Sequence, residues 1–180
     1  DRVLVMGQGP VGQAAIILAK ALGAQTIAVD IAEERLEMAK QIGADEVLLG
    51  DDNMVENVMK MTGGKGVEVA IDCSGSSIGR HRCLEVARMW GNVVFLGEQG
   101  TVTFEPSPLL LHKNLTLHGS WVTSVANMEK LVELLDRKKY IRARSLLIAS
   151  RFERPIRPSR YLQPEKPEKY ASATRWNKRK

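Results

Sequence analysis

Residues 3–24 read VLVMGQGPVGQAAIILAKALGA, an apolar run, a cluster of three glycines and a proline, and a second apolar-rich segment. Gly7, Gly9 and Gly12 form the pattern G-x-G-x-x-G, which here follows a strand-like run and begins a helix-like one. In that context Gly7 permits a tight turn, Gly9 lets a pyrophosphate approach the backbone, and Gly12 lets the helix pack closely on the sheet. The stretch therefore predicts a dinucleotide-binding turn, with a glycine-rich turn that merely packs as the alternative.

The start of the helix adds a detail to this prediction. Pro10 suits the first helical position, where its fixed φ helps and its missing N–H is not needed. Because Pro10 cannot donate, we assign the phosphate-facing N–H groups to Val11 and Gly12, assisted by the positive end of the helix dipole.

The residues that follow alternate short apolar runs with amphipathic segments. Predicted strands cover 3–6, 26–30, 46–50, 67–72, 92–97 and 115–121, and predicted helices cover 10–22, 33–42, 54–62, 79–89 and 125–139. A repeated order of strand, helix and strand implies right-handed crossovers and a doubly wound parallel sheet with helices on both faces. This arrangement is the three-layer α/β/α Rossmann fold. Such a sheet binds ligands at the carboxyl ends of its strands, near the point where strand order reverses.

The end of the second predicted strand carries an acid. Asp30 lies eighteen residues after Gly12, close to the spacing of about 20 at which dinucleotide folds place their ribose-binding carboxylate. A carboxylate there accepts hydrogen bonds from the adenosine ribose and repels a 2′-phosphate, which favours NAD(H) over NADP(H). The alternative is that Asp30 caps the following helix; both can hold.

Composition separates a body from a tail. The chain has 180 residues, 44% of them hydrophobic, which suits one domain over residues 1–150 and an appendage over 151–180. The net charge of +5 comes from the appendage, where ten Lys and Arg stand against three Glu among four prolines. Low apolar content and prolines predict that this basic tail is disordered.

The sequence also bears on compartment and partners. No apolar stretch approaches the roughly 20 residues that span a bilayer, and residues 1–6 do not read as a signal peptide, so we expect a soluble, cytoplasmic protein with no membrane partner. Only two cysteines, Cys73 and Cys83, are present, which argues against a disulfide framework.

Over roughly residues 1–150 the sequence resembles the coenzyme-binding domain of the medium-chain zinc-dependent alcohol and polyol dehydrogenases. The resemblance rests on five motifs in order: GQGPVG (7–12), VDIAEERLEMAKQIGAD (29–45), IDCSG (71–75), GNVVFLGEQG (91–100) and LHGSW (117–121).

The resemblance implies roles for residues along the coenzyme groove. Asp30 and Arg35 would flank the adenosine ribose, and Cys73 and Ser74 would line the groove. Towards the nicotinamide, Leu96, Gly97 and Glu98 would lie beneath the ring, and Ser120 and Trp121 would offer backbone groups to the carboxamide. For Cys73 and Trp121 the alternative is plain packing.

The reaction that the resemblance implies is reversible hydride transfer between an alcohol or polyol and NAD⁺, with zinc polarising the alcohol oxygen. Catalytic zinc needs three protein ligands from Cys, His and Glu, and the closest His/Cys pair here, His81 and Cys83, does not share a helix face. We therefore expect neither a metal site nor a catalytic residue in this chain. In the family the zinc ligands precede the glycine turn, so the chain is expected to be the NAD(H)-binding portion of such an enzyme, inactive alone, and to form dimers or tetramers near residues 109–121.

Other functions stay open. Zinc-independent quinone reductases share the architecture, although Asp30 with Arg35 argues against their NADP(H). A non-catalytic NAD-binding regulatory module is a second class. The third is a nucleic-acid binder built on Tyr161, Tyr170 and Trp176 in the basic tail, although a solvated charged tail is the commoner meaning of such composition. The loss of pattern after Phe152 also fits a reading-frame error.

Overall fold

A computed structural model describes residues 1–138, which form six strands and five α-helices. Along the chain these are β1 Arg2–Met6, α1 Pro10–Ala21, β2 Gln25–Asp30, α2 Glu33–Gln41, β3 Glu46–Leu49, α3 Met54–Met61, β4 Val67–Asp72, α4 Ser77–Val86, β5 Ala87–Phe95, β6 Thr116–Gly119 and α5 Val125–Lys138. A single turn of π-helix, Ser107–Leu111, precedes β6 and was not predicted.

All six strands run parallel, in the order β3-β2-β1-β4-β5-β6. The direction of strand addition reverses between β1 and β4, so the loops that follow these two strands diverge and leave a crevice between them. The prediction of a doubly wound parallel sheet is confirmed.

The core follows from the buried apolar strands. The side chains of Leu4 and Val5 are both fully buried, because helices cover β1 on both faces. On one face Leu4 joins a cluster with Val58 of α3 and Leu84 of α4. On the other, α1 packs against β1 and β2, and α2 packs against β2 and β3.

The predicted helix 79–89 differs from the structure at both ends. It begins at Ser77, because the Ser76 hydroxyl accepts the N–H of Gly79 and caps the helix. It ends at Val86, and β5 begins at Ala87 in extended backbone. The pairing of β4 with β5 then skips residues 88–91, a bulge that includes Trp90 at a φ of 61°. The sequence of this bulge is compatible with a helix, which explains the wrong boundary.

The predicted basic tail over 151–180 and the last residue of the predicted helix 125–139 lie outside the described residues. Within residues 1–138, none of the helices has the length and apolar character needed to cross a bilayer.

Candidate functional site

A cleft of about 500 Å³ opens at the carboxyl ends of the strands beside the switch point. The turns after β1, β2, β3 and β4 and the first turns of α4 line it, through Met6, Gly7, Gly9, Asp30, Ile31, Arg35, Gly50, Asp52, Cys73, Ser74, Ser76, Ile78, Gly79 and Arg82. This is the position at which open parallel sheets bind their ligands.

The three glycines of the first turn have different surroundings. Gly7 has a φ of 90°, donates its N–H to the Val29 carbonyl at 2.7 Å, and has no room for a Cβ, which would lie 2.8 Å from the Ser74 nitrogen. A Cβ on Gly12 would overlap the Gly7 carbonyl oxygen, so glycine lets α1 start against the turn. A Cβ on Gly9 would meet no described atom within 4 Å. The backbone of Gly9 thus faces open space in the cleft.

The first turn of α1 leaves backbone donors available. Gly9 is the N-cap residue and Pro10 follows it, with no side-chain cap. The first hydrogen bond along the helix runs from the Gln13 N–H to the Gly9 carbonyl at 3.0 Å. The N–H groups of Val11 and Gly12 come before that bond, where helix geometry supplies no acceptor, so the uncapped turn is suited to an anion.

Asp30 connects the end of β2 to the glycine turn. Its side chain is buried, and Oδ2 accepts the Gln8 N–H at 2.6 Å while Oδ1 accepts the Ala32 N–H at 3.0 Å. Arg35 Nη1 lies 3.5 Å from Oδ2. The N-cap of α2 is Ala32, with no side-chain cap, so Asp30 closes the turn before α2 and does not cap that helix. A carboxylate accepts about four hydrogen bonds, which leaves capacity for a ligand.

The turn after β4 is organised by a buried acid. Asp72 is fully buried, and its Oδ1 accepts both the hydroxyl of Ser74 at 2.6 Å and the N–H of Ser74 at 3.0 Å. Cys73 is half-buried beside it, and burial, together with the charge of Asp72, raises the pKa of the Cys73 thiol to about 12. Cys73 therefore both packs and lines the cleft, as a neutral thiol.

The residues predicted near the nicotinamide lie outside the lining of this cleft. Leu96 instead lines a second depression, of about 470 Å³, beside α1. Gly97 donates its N–H to the Asp72 carbonyl at 2.9 Å, and Glu98 follows it. The Ser120 N–H donates to the Phe95 carbonyl at 3.2 Å.

Trp121 is 67% exposed, so simple packing within residues 1–138 does not explain it. Of the fourteen predicted residues, the cleft brings together six, namely Gly7, Gly9, Asp30, Arg35, Cys73 and Ser74. Pro10, Val11 and Gly12 form the adjoining helix start.

Sequence reasoning missed several side chains of the cleft, among them Ile31, Ile78 and Arg82. Ile31 and Ile78 both line the cleft. They are 81% and 65% exposed, which is unusual for isoleucine. Arg82 donates to the Gly50 carbonyl at 2.9 Å and contacts Asp52 Oδ1 at 3.1 Å. Because Ile78 and Arg82 are four residues apart on a helix, their shared face could have been found from spacing once α4 was placed.

Among residues 1–138, no group of three or more His, Cys, Asp or Glu side chains is arranged to hold a metal ion. The described part of the chain does not fit a zinc ion, so no chemical step is derived through one.

Comparison with known proteins agrees with this geometry. Residues 10–137 match the family model described as zinc-binding dehydrogenase. The zinc-type alcohol dehydrogenase-like protein YphC of Escherichia coli K12 is 44% identical over 146 residues, which are 79% of this chain and 41% of that protein. Human sorbitol dehydrogenase is 37% identical over 62% of this chain and 31% of its own length.

Solved structures show the same relationship. The alcohol dehydrogenase of Aeropyrum pernix superposes with a TM-score of 0.71 at 31% identity, covering 76% of this chain and 40% of that one. The fold and the cleft define a Rossmann-type coenzyme-binding domain. This chain belongs to the medium-chain zinc-type alcohol dehydrogenase family, of which it represents the C-terminal coenzyme-binding domain. The chain spans about two fifths of the length of YphC and of the Aeropyrum pernix enzyme.

Proposed function

We propose that the cleft binds NAD(H) and that the chain is the coenzyme-binding part of a dehydrogenase that acts on an alcohol or polyol. The observation that carries the proposal is the buried carboxylate of Asp30 beside the glycine turn, with Arg35 3.5 Å away. Two acceptor positions on a carboxylate suit the adjacent hydroxyls of an adenosine ribose, and its charge disfavours a 2′-phosphate.

The remaining groups of the coenzyme follow from the surfaces around Asp30. The pyrophosphate meets the Gly9 backbone and the uncapped N–H groups of α1, where no Cβ intervenes. The exposed side chains of Ile31 and Ile78 offer apolar walls to the adenine.

The nicotinamide half extends from the switch point towards β4 and β5. There Gly97 and Glu98, and beyond them Ser120 and Trp121, are proposed to support the ring and its carboxamide. When bound, NAD⁺ supplies the hydride acceptor, and this chain's contribution is to hold and orient it. The names of relatives that include sorbitol and L-threonine dehydrogenases support an alcohol as substrate of the whole enzyme.

Assembly is proposed on the basis of the sheet edge. All four residues of β6 are exposed, and β6 is one of the two outer strands of the sheet that residues 1–138 form. An open edge can pair with a second copy, which supports a homo-oligomer.

Calorimetric titration of the chain with NADH and NADPH tests the proposed coenzyme. We expect one saturable NADH site and at least about tenfold weaker NADPH binding. Asp30→Asn keeps an acceptor oxygen but removes the charge; hydrogen bonds to a charged group contribute about 1.5–3 kcal/mol, so NADH binding should weaken roughly tenfold to a hundredfold.

Asp45→Asn is the matched control, because Asp45 bonds Lys20 and Thr26 at the opposite end of the sheet from the cleft. It should leave both affinities unchanged. Absence of NADH binding by the unsubstituted chain, or equal binding of NADPH, would overturn the proposal.

A further inference from the structure

The loop after β5 is attached to helix α4 through one arginine. Arg80 Nη2 donates to the Gly97 carbonyl at 2.6 Å and to the Gln99 carbonyl at 2.5 Å. Gln99 has a φ of 69°, a region that non-glycine residues rarely adopt, and its carbonyl is one of the two that Arg80 holds. Arg80 thus stabilises a backbone conformation that the loop would not favour by itself.

The same helix holds the next stretch of the loop in the same manner. The Ser77 hydroxyl donates to the Thr101 carbonyl, and His81 Nδ1 lies 3.2 Å from the Thr103 carbonyl. With the two carbonyls bound by Arg80, every second carbonyl from 97 to 103 contacts α4. The loop therefore runs along α4 in a defined register.

Arg80 is itself fixed in position. Its side chain is 11% exposed, its Nε lies 3.4 Å from Oδ2 of the fully buried Asp72, and its guanidinium carbon is 5.7 Å from the centre of the Phe95 ring. No hydrogen-bond partner is found for Nε among the described residues, so the charge of Asp72 orients this end of the guanidinium. The ion pair links the end of β4 to the loop after β5.

Backbone contacts make this loop sensitive to small shifts. A Cβ on Gly75 would overlap the Glu98 carbonyl oxygen, and a Cβ on Gly100 would overlap the Gly75 carbonyl oxygen. The loops after β4 and β5 touch main chain to main chain, so neither can move alone.

The position of this loop gives it a role. With the adenosine at the end of β2, a dinucleotide that crosses the switch point places its nicotinamide over the ends of β4 and β5. We propose that Arg80 is a positioning residue, which holds the backbone of residues 97–101 in the shape that receives the nicotinamide ring. This inference rests on the proposed NAD(H) binding.

The experiment compares two ligands that differ only in the nicotinamide ring. Calorimetry gives the dissociation constants of NADH and ADP-ribose for the unsubstituted chain and for Arg80→Lys, which keeps the charge but cannot bridge two carbonyls and Asp72 together. The readout is the ratio of the two constants, which a general loss of fold would not change. We expect Arg80→Lys to weaken NADH by about tenfold and ADP-ribose by less than about twofold.

Two further variants complete the test. Arg88→Lys is the control, because Arg88 pairs with Glu68 at the amino end of β5, at 3.3 Å; its ratio should not change. Ser77→Ala removes one attachment of the same loop and should weaken NADH selectively by a smaller factor; it decides the outcome if Arg80→Lys binds neither ligand.

Each outcome separates the two proposals. An unchanged ratio in Arg80→Lys, or in Ser77→Ala where the lysine variant binds neither ligand, would overturn the positioning role. If the unsubstituted chain binds neither NADH nor ADP-ribose, the proposed function itself fails, and the role of Arg80 fails with it. If the unsubstituted chain binds ADP-ribose as tightly as NADH, the positioning role of Arg80 is overturned and the proposed function is not.

Discussion

Two alanine substitutions within the glycine motif should have different consequences, one for the fold and the other for ligand binding. A Cβ on Gly12 would overlap the Gly7 carbonyl oxygen and lie 2.9 Å from the Gly7 carbonyl carbon. A Cβ on Gly9 would meet no described atom within 4 Å, and the φ of Gly9, −70°, is open to alanine. Gly12→Ala should therefore damage the fold, and Gly9→Ala should damage only the binding of a ligand that approaches the backbone.

The magnitudes follow from these surroundings. At Gly12 the obstacle is main chain, which cannot rotate away, so overpacking costs about 3 kcal/mol, and the better helix propensity of alanine offsets about 1 kcal/mol. The net loss of about 2 kcal/mol lowers the melting temperature by roughly 4–8 °C for a chain of this size. At Gly9 the loss of a favourable N-cap residue and the gain from a less flexible unfolded chain nearly cancel, leaving a change below about 1 kcal/mol.

Thermal unfolding followed by circular dichroism and NADH titration by calorimetry measure the two effects. Gly9→Ala should keep its melting temperature within about 3 °C and weaken NADH roughly tenfold to a hundredfold, because the methyl group occupies the path of the pyrophosphate. Equal melting losses in the two variants would refute the assignment of Gly12 to packing. Undiminished NADH affinity in Gly9→Ala would refute the close approach at Gly9.

Three further predictions concern the rest of the domain. Burial alone would raise the pKa of the Asp45 carboxyl, but hydrogen bonds from Lys20 and Thr26 hold that pKa below its usual value. The stability that the carboxylate contributes is therefore present above about pH 4 and is lost as the pH falls through the lowered pKa. Asp45→Asn should therefore cost up to about 1 kcal/mol at pH 7 and progressively less below pH 4 in urea unfolding, whereas a constant difference would contradict the assignment. With the pKa of Cys73 raised to about 12 by burial and by Asp72, about one thiol in ten thousand is ionised at pH 8. Mass spectrometry should find that Cys73 is alkylated about a thousandfold more slowly than a free cysteine. Burial also raises the pKa of the Cys83 thiol, so Cys83 should be alkylated only when the protein unfolds. Rapid labelling of either cysteine would be evidence against this packing. Lys113 donates to three carbonyls at the end of α4, at 2.7 to 3.1 Å. Lys113→Met should therefore lower the free energy of unfolding by about 1.5–3 kcal/mol in the same urea experiment. The surface control Lys60→Met should lower it by less than about 0.5 kcal/mol. Equal losses in the two lysine variants would show that the carbonyl contacts contribute nothing.

Local patterns were sufficient for most of the fold. The strand ending at Asp30 is a short apolar run closed by an acid, and the helix after Gly9 has a proline at its first position, so both are determined by neighbouring residues. The boundary between α4 and β5 is determined differently. There the bulge of residues 88–91 arises from pairing with β4, a partner some twenty residues earlier in the chain.

The candidate site shows the same division. The glycine turn and Asp30 follow a fixed spacing that a single sequence displays. Arg80 and Asp72 do not, because their contact depends on how α4 crosses the end of β4, and nothing in the intervening residues marks the pair. Sequence resemblance supplied the region of residues 96–98 but not the arginine that holds its backbone.

Under the proposed function, coenzyme recognition and folding would share the side chain of Asp30. Its carboxylate accepts the Gln8 N–H, and Gln8 lies between the first two glycines of the turn, so the acid that would bind the ribose also fixes the loop that would bind the pyrophosphate. The two halves of the coenzyme would therefore not be recognised independently. Alanine at position 30 would leave the N–H groups of both Gln8 and Ala32 without an acceptor and disturb the phosphate turn as well. Asparagine retains one acceptor oxygen, so it loses one of these two bonds together with the charge. For this reason Asp30→Asn, which disturbs the turn less than Asp30→Ala, is the better test of the proposed contribution of Asp30 to the choice between NADH and NADPH.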